Sequence, residues 1–394
     1  MKIIDMHCDT LDRLLSLQEA GNPEGLRQNS GHLDLLRMKE SGYLLQNFAM
    51  FVMLKKGQDP WERMCSLYEC YQAELERNRD ILAPVLSFSD IMKNQAAGKL
   101  SALLTVEEGA VCKGEIGKLR QLYEMGVRMM TLTWNFENEI GHPNFFPEYK
   151  EGMRLAGEVW KESVGELAEL EQRVGTSGNR GEDEDAEGFV GVETDFVEKA
   201  RAKCEANQRI AQTVFDRYFH TPNTQDGLTE QGREFVEEME CLGMIPDVSH
   251  LSDAGFYDVL AVTKKPFVAS HSNARAVSPA VRNMPDDMIR KLAERGGCMG
   301  LNYCADFLEE TPLGVHNPGT IAAIVRHAKH IVNVGGIDVL GLGSDFDGID
   351  THEELPGAQA MGLLWEALRK GGFSEDALDK IFCGNVLRVY RETL

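Results

Sequence analysis

Eight short apolar runs recur along this chain, and most of them end in a side chain that can bind a metal ion or a substrate. The runs lie near residues 2–7, 44–52, 101–106, 127–133, 243–249, 266–270, 297–303 and 339–344. Short apolar runs bounded by glycine or polar residues are typical of fully buried strands. Helical patterns separate most of them, for example at 116–125, 252–262, 286–294 and 321–334. Strand alternating with helix eight times predicts an α/β protein with a (β/α)8 TIM-like barrel.

The polar residues that end these strands are the candidates for function. In a barrel of this type the catalytic groups come from the C-terminal ends of the strands, so residues distant in sequence meet at one face. The predicted strands end in His7 and Asp9, Gln46 and Asn47, Glu107, Trp134 and Asn135, His250, His271, Asn302 and Tyr303, and Asp345. We therefore expect a polar site at this end of the barrel.

Composition restricts the class of protein. The chain has 394 residues, more than the roughly 250 of a bare barrel, so it carries additional segments. Its formal charge of −22 argues against nucleic acid or an anionic membrane as partner, because phosphate binding needs clustered Lys and Arg. No apolar run approaches the ~20 residues of a membrane span, and the first residues enter a predicted strand without a signal peptide. We expect a cytoplasmic enzyme whose nine cysteines are buried thiols rather than disulfides.

The additional length lies between the fourth predicted strand and the helix that begins near Gly227. We predict a single metallohydrolase domain over residues 1–394 with a helical insertion at 142–226. Helical patterns at 153–173 and 197–218 flank an acidic, glycine-rich segment at 175–188 that we expect to be flexible. An insertion after a strand's C-terminal end emerges on the catalytic face. A lid and a subunit contact or tolerated surface insertion are both consistent with this pattern.

Six residues at the strand ends suit a metal centre. His7 and Asp9 are two apart on a strand and so share a face, although a purely structural pair would look the same. Glu107 ends an apolar run where an unpaired carboxylate would be costly to bury, and Glu108 beside it competes for the same role. His250 and His271 each follow a serine at the end of neighbouring strands, and Asp345 ends the strand that closes the barrel beside His7.

This ligand set exceeds the three protein ligands of one catalytic zinc ion. Two divalent ions, three carboxylates and one bridging hydroxide sum to zero charge, so a binuclear centre fits better. Such a centre lowers the pKa of its shared water and stabilises an oxyanion, which favours hydrolysis of an amide-like bond. Nitrogen and oxygen ligands suit Zn²⁺, and Mn²⁺, Co²⁺ or Fe²⁺ stay open alternatives.

Nine motifs, in their order along the chain, resemble one family. They are Ile4-Asp-Met-His-Cys-Asp9, Leu103-Leu-Thr-Val-Glu-Glu-Gly109, Thr131-Leu-Thr-Trp-Asn135, Gly227-Leu-Thr-Glu-Gln-Gly232, Asp247-Val-Ser-His250, Ala269-Ser-His-Ser272, Val281-Arg-Asn-Met-Pro-Asp286, Gly343-Ser-Asp-Phe-Asp-Gly348 and Gly384-Asn-Val-Leu-Arg388. The chain resembles the membrane dipeptidase (renal dipeptidase) family of binuclear zinc peptidases, within the amidohydrolase-like barrels. The resemblance covers nearly the whole chain apart from the insertion.

The resemblance implies a role for each matching residue. His7, Asp9 and Asp345 would hold the first zinc ion, His250 and His271 the second, and Glu107 rather than Glu108 would bridge the two. Asp345 would also carry a proton from the attacking water to the leaving amine. Arg282 would bind the free C-terminal carboxylate of a dipeptide, although without the motif a salt bridge to Asp286 or Asp287 would be the simpler interpretation.

The chain departs from the mammalian members at one place. Where they have a histidine thought to contact the substrate carbonyl, this sequence has Trp134 and Asn135, which resembles a bacterial branch of the family. We expect both residues to contact substrate, with Asn135 or the nearby His142 as a donor to the oxyanion.

The expected function is that of a cytoplasmic dipeptidase with two Zn²⁺ per chain, acting on small dipeptides and admitting a C-terminal D-residue as the family does. A deacylase or lactonase using the same metal pair on a non-peptide substrate is the alternative, and a non-enzymatic binding protein would require a broken metal site. We expect neither nucleic acid nor membrane as partner, and a homodimer is a state that the resemblance allows.

Overall fold

Eight parallel strands close into a barrel in the computed structural model, which describes residues 1–177, 187–350 and 352–394. Among the described residues the sheet has nine strands, of which all but β3 belong to the ring: β1 (Ile3–Asp5), β2 (Tyr43–Phe51), β3 (Leu82–Pro84), β4 (Leu100–Glu107), β5 (Val127–Thr131), β6 (Ile245–Asp247), β7 (Val268–Ala269), β8 (Cys298–Leu301) and β9 (Leu340–Leu342). The pairings β1–β2, β2–β4, β4–β5 and onward through β9–β1 form the closed ring. The predicted (β/α)8 barrel is confirmed, and each of the eight predicted strands corresponds to one strand of the ring.

β3 is an additional strand outside the ring. It pairs with residues 100–102 of β4, just before the stretch of β4 that pairs with β5. The sequence did not predict it because it has three residues and ends in Pro84, which cannot donate a backbone hydrogen bond to a neighbouring strand.

The helices follow the alternation that the sequence predicts. They are α1 (Thr10–Glu19), α2 (Leu35–Ser41), α3 (Pro60–Arg77), α4 (Phe88–Ala96), α5 (Ile116–Glu124), α6 (Tyr149–Ser177), α7 (Glu187–His220), α8 (Glu230–Leu242), α9 (Asp253–Val262), α10 (Asp286–Glu294), α11 (Ala305–Leu308), α12 (Ile321–Gly335), α13 (Met361–Lys370), α14 (Glu375–Asp379) and α15 (Asn385–Thr393). Short 3-10 turns lie at Gly109–Cys112, Ile337–Val339 and Ala358–Ala360, and a π turn at Lys380–Gly384 precedes α15.

Two layers of apolar side chains hold the barrel together. The larger cluster combines helix residues such as Leu11 and Ile324 with strand residues such as Leu104, so it lies between strands and helices. The smaller cluster takes one or two residues from most of the ring strands, together with Val386 and Tyr390 of α15. This cluster therefore lies inside the barrel, and α15 packs against it.

The chain divides into two compact units. The first comprises Met1–Asn144, Pro222–Glu310 and Asn317–Leu394, and contains the barrel. The second comprises Phe145–Thr221 and Thr311–His316. In the second unit α6 and α7 contact each other, and Leu313 donates its backbone N–H to the side chain of Gln212. Of the segment 175–188 that we expect to be flexible, residues 178–186 lie outside the described residues.

Candidate metal centre

Six polar side chains converge at the C-terminal ends of the barrel strands. Glu107 is the last residue of β4, and the other five follow β1, β6, β7 and β9 within two to four residues. Their ligand atoms form three overlapping groups in which all atoms lie within 4.8 Å of one another. The groups are His7, His271 and Asp345; Glu107, His250 and His271; and His7, Asp9 and Glu107. The structure thus brings together all six residues that the sequence nominates as ligands.

Backbone pairing explains why the residues around His7 and Asp345 meet. The N–H of Asp345 donates to the carbonyl of His7, and the N–H of Asp9 donates to the carbonyl of Phe346. The two chain segments therefore continue the β1–β9 contact beyond the ends of both strands. Asp345 adopts a left-handed backbone conformation with φ 63°, and Asn302 donates its amide N–H to Asp345 Oδ2 over 3.0 Å. These contacts fix where the Asp345 carboxylate points.

The two carboxylate oxygens of Glu107 face different imidazoles. Oε2 lies 3.4 Å from His7 Nε2. Oε1 lies 3.1 Å from His250 Nε2 and 3.6 Å from His271 Nε2. A carboxylate that divides its oxygens in this way has the geometry of a bridge between two cations.

The charges in this buried pocket favour a bound cation. Asp9, Glu107 and Asp345 are all buried, and burying carboxylates without compensation is costly. Burial opposes protonation of His7, but Glu107 and Asp9 outweigh it and raise the His7 pKa well above its usual value. Burial, with the charge of Glu107, raises the pKa of Asp9 to about 8. His7 Nε2 and Asp9 Oδ1 have no hydrogen-bond partner among the described residues. Imidazole and carboxylate donors in this state fit a divalent metal ion.

Arg282, Trp134 and Asn135 border the same cluster. The buried Arg282 donates to the carbonyls of Ser249 and His271, while its Nε has no partner among the described residues. The ring of Trp134 lies 6.1 Å from that of His250, measured between centroids. Asn135 Oδ1 lies 2.9 Å from His250 Nδ1. The structure places all three residues at the site, and their roles in substrate binding stay predictions.

The comparisons with known proteins identify the family. A sequence profile of the membrane dipeptidase family, peptidase family M19, matches residues 1–157 and 202–394. The chain belongs to this family. Membership confirms the predicted family and its enzyme class, a metallodipeptidase that acts on peptide bonds. The profile leaves 158–201 unmatched, which lies within the predicted insertion.

Individual relatives agree with this membership. Dipeptidase tcpJ of Claviceps purpurea is 37% identical over 167 residues, which are 42% of this chain and 38% of that protein, so the aligned part spans well under half of the relative. An uncharacterised dipeptidase of Schizosaccharomyces pombe is 25% identical over 421 residues, covering 100% of this chain and 80% of its own length. A solved metallopeptidase from Rhodobacter sphaeroides, bound to a phosphinate mimic of the dipeptide L-Ala-D-Ala, shares the fold with a TM-score of 0.75 at 22% identity, with 100% of this chain and 99% of that one covered.

The two glutamates at the end of β4 have separate environments in this dipeptidase family member. Glu107 faces the cluster, whereas Glu108 turns away with φ 100° and accepts hydrogen bonds from the backbone N–H groups of Ala110 and Trp134. Asn138 also donates to Glu108. Burial raises the pKa of Glu108 to about 7. Glu108 therefore anchors the loop that carries Trp134 and Asn135, a role that sequence reasoning did not assign to it.

Sequence reasoning also missed two residues that support the ligands. Asp247, the last residue of β6, accepts hydrogen bonds from the two serines that precede His250 and His271. The sequence identifies Asn302 only as a strand end, whereas in the structure its amide N–H donates to Asp345. Asp247 carried a usable signal, since it is an acid within a buried apolar strand, the same feature that identified Glu107. Among the described residues, no helix has both the length and the apolar character that a membrane crossing requires.

Proposed function

We propose that this chain hydrolyses the peptide bond of small dipeptides with two zinc ions. His7, Asp9 and Asp345 would hold one ion, His250 and His271 the other, and Glu107 would bridge them. The proposal rests on the orientation of the Glu107 carboxylate, whose Oε2 faces His7 while Oε1 faces His250 and His271. Two divalent ions would offset the three buried carboxylates and leave one positive charge for a bridging hydroxide.

The metal pair would supply a nucleophilic hydroxide at neutral pH and polarise the scissile carbonyl. Asp345 would move the proton; in support, its carboxylate belongs to the cluster, 3.8 Å from His7 Nε2, and Asn302 orients it. Burial, together with the neighbouring Glu107, raises the pKa of Asp345, which suits a group that accepts a proton from water and returns it to the leaving amine.

Arg282 would select the substrate by binding its C-terminal carboxylate. Its guanidinium is buried, fixed by two backbone carbonyls and within 3.0 Å of His250 Nε2. Its Nε–H has no partner among the described residues and is a charged donor at the edge of the metal site, which suits a carboxylate. The Rhodobacter sphaeroides relative was solved with a phosphinate mimic of the dipeptide L-Ala-D-Ala, and we extend the proposal to dipeptides with a C-terminal D-residue.

We also propose how the chain is organised into domains. We treat residues 1–394 as one metallohydrolase domain in which 142–226 is a helical insertion, with a lid and a subunit contact both open as its role. Location in the cytoplasm, and a homodimer as the assembled state, stay predictions from the sequence.

Metal content and substrate range test the proposal together. Metal per chain is measured by mass spectrometry on the purified protein, and hydrolysis is followed on L-L and L-D dipeptides and on the same peptides amidated at the C-terminus. We expect two zinc ions per chain and cleavage of the free dipeptides that is lost on amidation. Two metal ions without dipeptide cleavage would instead support a deacylase or lactonase, and a protein that neither binds metal nor cleaves any peptide would refute the proposal.

A further inference from the structure

A buried carboxylate lies directly beneath the two histidines that follow β6 and β7. Asp247 Oδ1 accepts hydrogen bonds from Ser249 N, Ser249 Oγ and Ser270 N at 3.1, 2.7 and 2.8 Å. Asp247 Oδ2 accepts from Ser270 Oγ and Thr131 Oγ1, both at 2.6 Å. Each of these contacts to the two oxygens comes from an N–H or O–H donor.

These contacts determine the direction of the hydrogen bond to His271. A serine hydroxyl has one proton to donate, and those of Ser249 and Ser270 both go to Asp247. Ser270 Oγ lies 2.8 Å from His271 Nδ1 and can only accept there. His271 must then carry its proton on Nδ1, which leaves the lone pair of Nε2 directed at the cluster.

His250 reaches the same protonation state through different partners. Arg282 Nη2 lies 3.0 Å from His250 Nε2, and because a guanidinium only donates, this nitrogen accepts. The proton is then on Nδ1, where Asn135 Oδ1 accepts it over 2.9 Å. Neither His250 Nε2 nor His271 Nε2 then carries a proton, and the two atoms lie 2.9 Å apart.

We propose that Asp247 is a positioning residue that, through Ser270, holds His271 in the tautomer that binds the second metal ion. Asn135 performs the equivalent task for His250. The inference rests on the proposed function only in taking the cation between these imidazoles to be the second metal of the dipeptidase. Partners that fix the orientation and tautomer of a ligating histidine in this way commonly contribute 10- to 100-fold in metal affinity.

The test measures metal affinity rather than turnover. Zinc binding to the full-length chain is titrated against a chelator for the parent, Asp247→Asn, Ser270→Ala and Ser270→Thr. We expect the second zinc ion to bind about 10- to 100-fold more weakly in D247N and S270A, with the first ion retained, and S270T to restore most of the affinity because it keeps the hydroxyl. Thr131→Val is the matched control: it removes a hydrogen bond to the same Asp247 oxygen but lies off the path to His271, so its zinc affinity stays within about 2-fold of the parent.

Long-range nitrogen NMR of protein labelled with ¹⁵N-histidine supplies a readout that loss of folding cannot imitate. The metal-free parent should give the Nδ1–H tautomer for His271, assigned by its loss in a His271→Gln variant, and S270A should shift it toward Nε2–H. An Nε2–H tautomer in the parent, or second-site affinity in D247N and S270A equal to that of the parent, would overturn the inference. Failure of the proposed function would give a different result: the parent would bind two zinc ions and show this tautomer pattern, yet cleave no dipeptide.

Discussion

Gly348 lies so close to Asp9 that a Cβ on the glycine would overlap the Oδ2 atom of that carboxylate. The same Cβ would stand 2.7 Å from Asp345 Oδ1. Two proposed ligands of the first metal ion therefore occupy the space that only a glycine leaves free. We expect Gly348→Ala to displace one or both carboxylates and to lower zinc occupancy from two ions toward one per chain, measured by mass spectrometry after dialysis.

A second glycine provides the control for this substitution. Gly157 lies inside α6, and a Cβ there would meet nothing within 4 Å. Gly157→Ala should keep full zinc occupancy and stabilise the helix by about 0.5–1 kcal/mol, because alanine has the higher helix propensity. Full occupancy in G348A as well would show that the Asp9 and Asp345 carboxylates do not both bind metal.

Arg282 should control recognition of the substrate carboxylate. Arg282→Lys keeps the charge and loses the planar fork, so we expect kcat/KM on free dipeptides to fall about 10- to 150-fold, equivalent to the 1.5–3 kcal/mol of a hydrogen bond to a charged group. The loss should appear mainly in KM. Any residual cleavage of C-terminally amidated peptides, which lack the carboxylate, should be affected far less.

Arg369 is a suitable comparison because it is an exposed arginine that donates to both oxygens of one carboxylate. Its partner is Glu366 in the same helix, α13, and both contacts measure 2.8 Å. Arg369→Lys should leave the ratio of activity on free and amidated peptides as in the parent. Equal sensitivity of free and amidated peptides to R282K would remove the assignment of Arg282 to the carboxylate.

Asparagine variants of Asp345 and Asp347 distinguish a role in proton transfer from a role in loop structure. Asp345→Asn keeps the size of the side chain and cannot accept the proton, so kcat should fall about 10²- to 10⁴-fold, the usual range for losing a general acid or base. Asp347 shares the left-handed backbone, with φ 66°, but accepts from Thr10 Oγ1 and the backbone N–H of His32. Asp347→Asn should cost stability and reduce kcat by less than about tenfold. Steady-state kinetics on both variants, with zinc content measured alongside, test this assignment. Similar losses of kcat in the two variants would contradict a proton-transfer role for Asp345.

The barrel was predictable from sequence because its strands are short and buried, and their apolar runs end at polar residues. The same rule identified Glu107 as a buried acid closing such a run. It applies equally to Asp247, which the sequence does not single out because its long-range partners, the hydroxyl groups of Thr131 in β5 and Ser270 just after β7, are not revealed by any spacing. The contact of Asn135 with His250 was out of reach for a similar reason. It depends on how the loop after β5 folds back, and that depends on Glu108 accepting hydrogen bonds from Trp134 and Asn138.

His327 should make the stability of the protein depend on pH. It is buried in α12, accepts a hydrogen bond at Nδ1 from the backbone N–H of Ala274, and donates from Nε2 to the carbonyl of Leu308. Burial lowers the pKa of His327 to about 4. Protonation would also place a second ring proton against the Ala274 N–H, where there is no acceptor. An unfolded chain protonates this histidine near its ordinary pKa of about 6.5.

The sign follows from proton binding. Between pH 6.5 and 4 the unfolded state binds more protons than the folded state, so the free energy of unfolding decreases as the pH falls, by up to about 3 kcal/mol in total. His327→Gln removes this contribution. In urea unfolding at pH 4.5, 5.5 and 6.5, the variant should lose less stability on acidification than the parent, by up to about 1.4 kcal/mol per pH unit. His330→Gln, three residues along the same helix and paired with Asp286, should retain the parent's steep dependence. If H327Q and the parent lose stability in parallel, His327 titrates normally in the folded state.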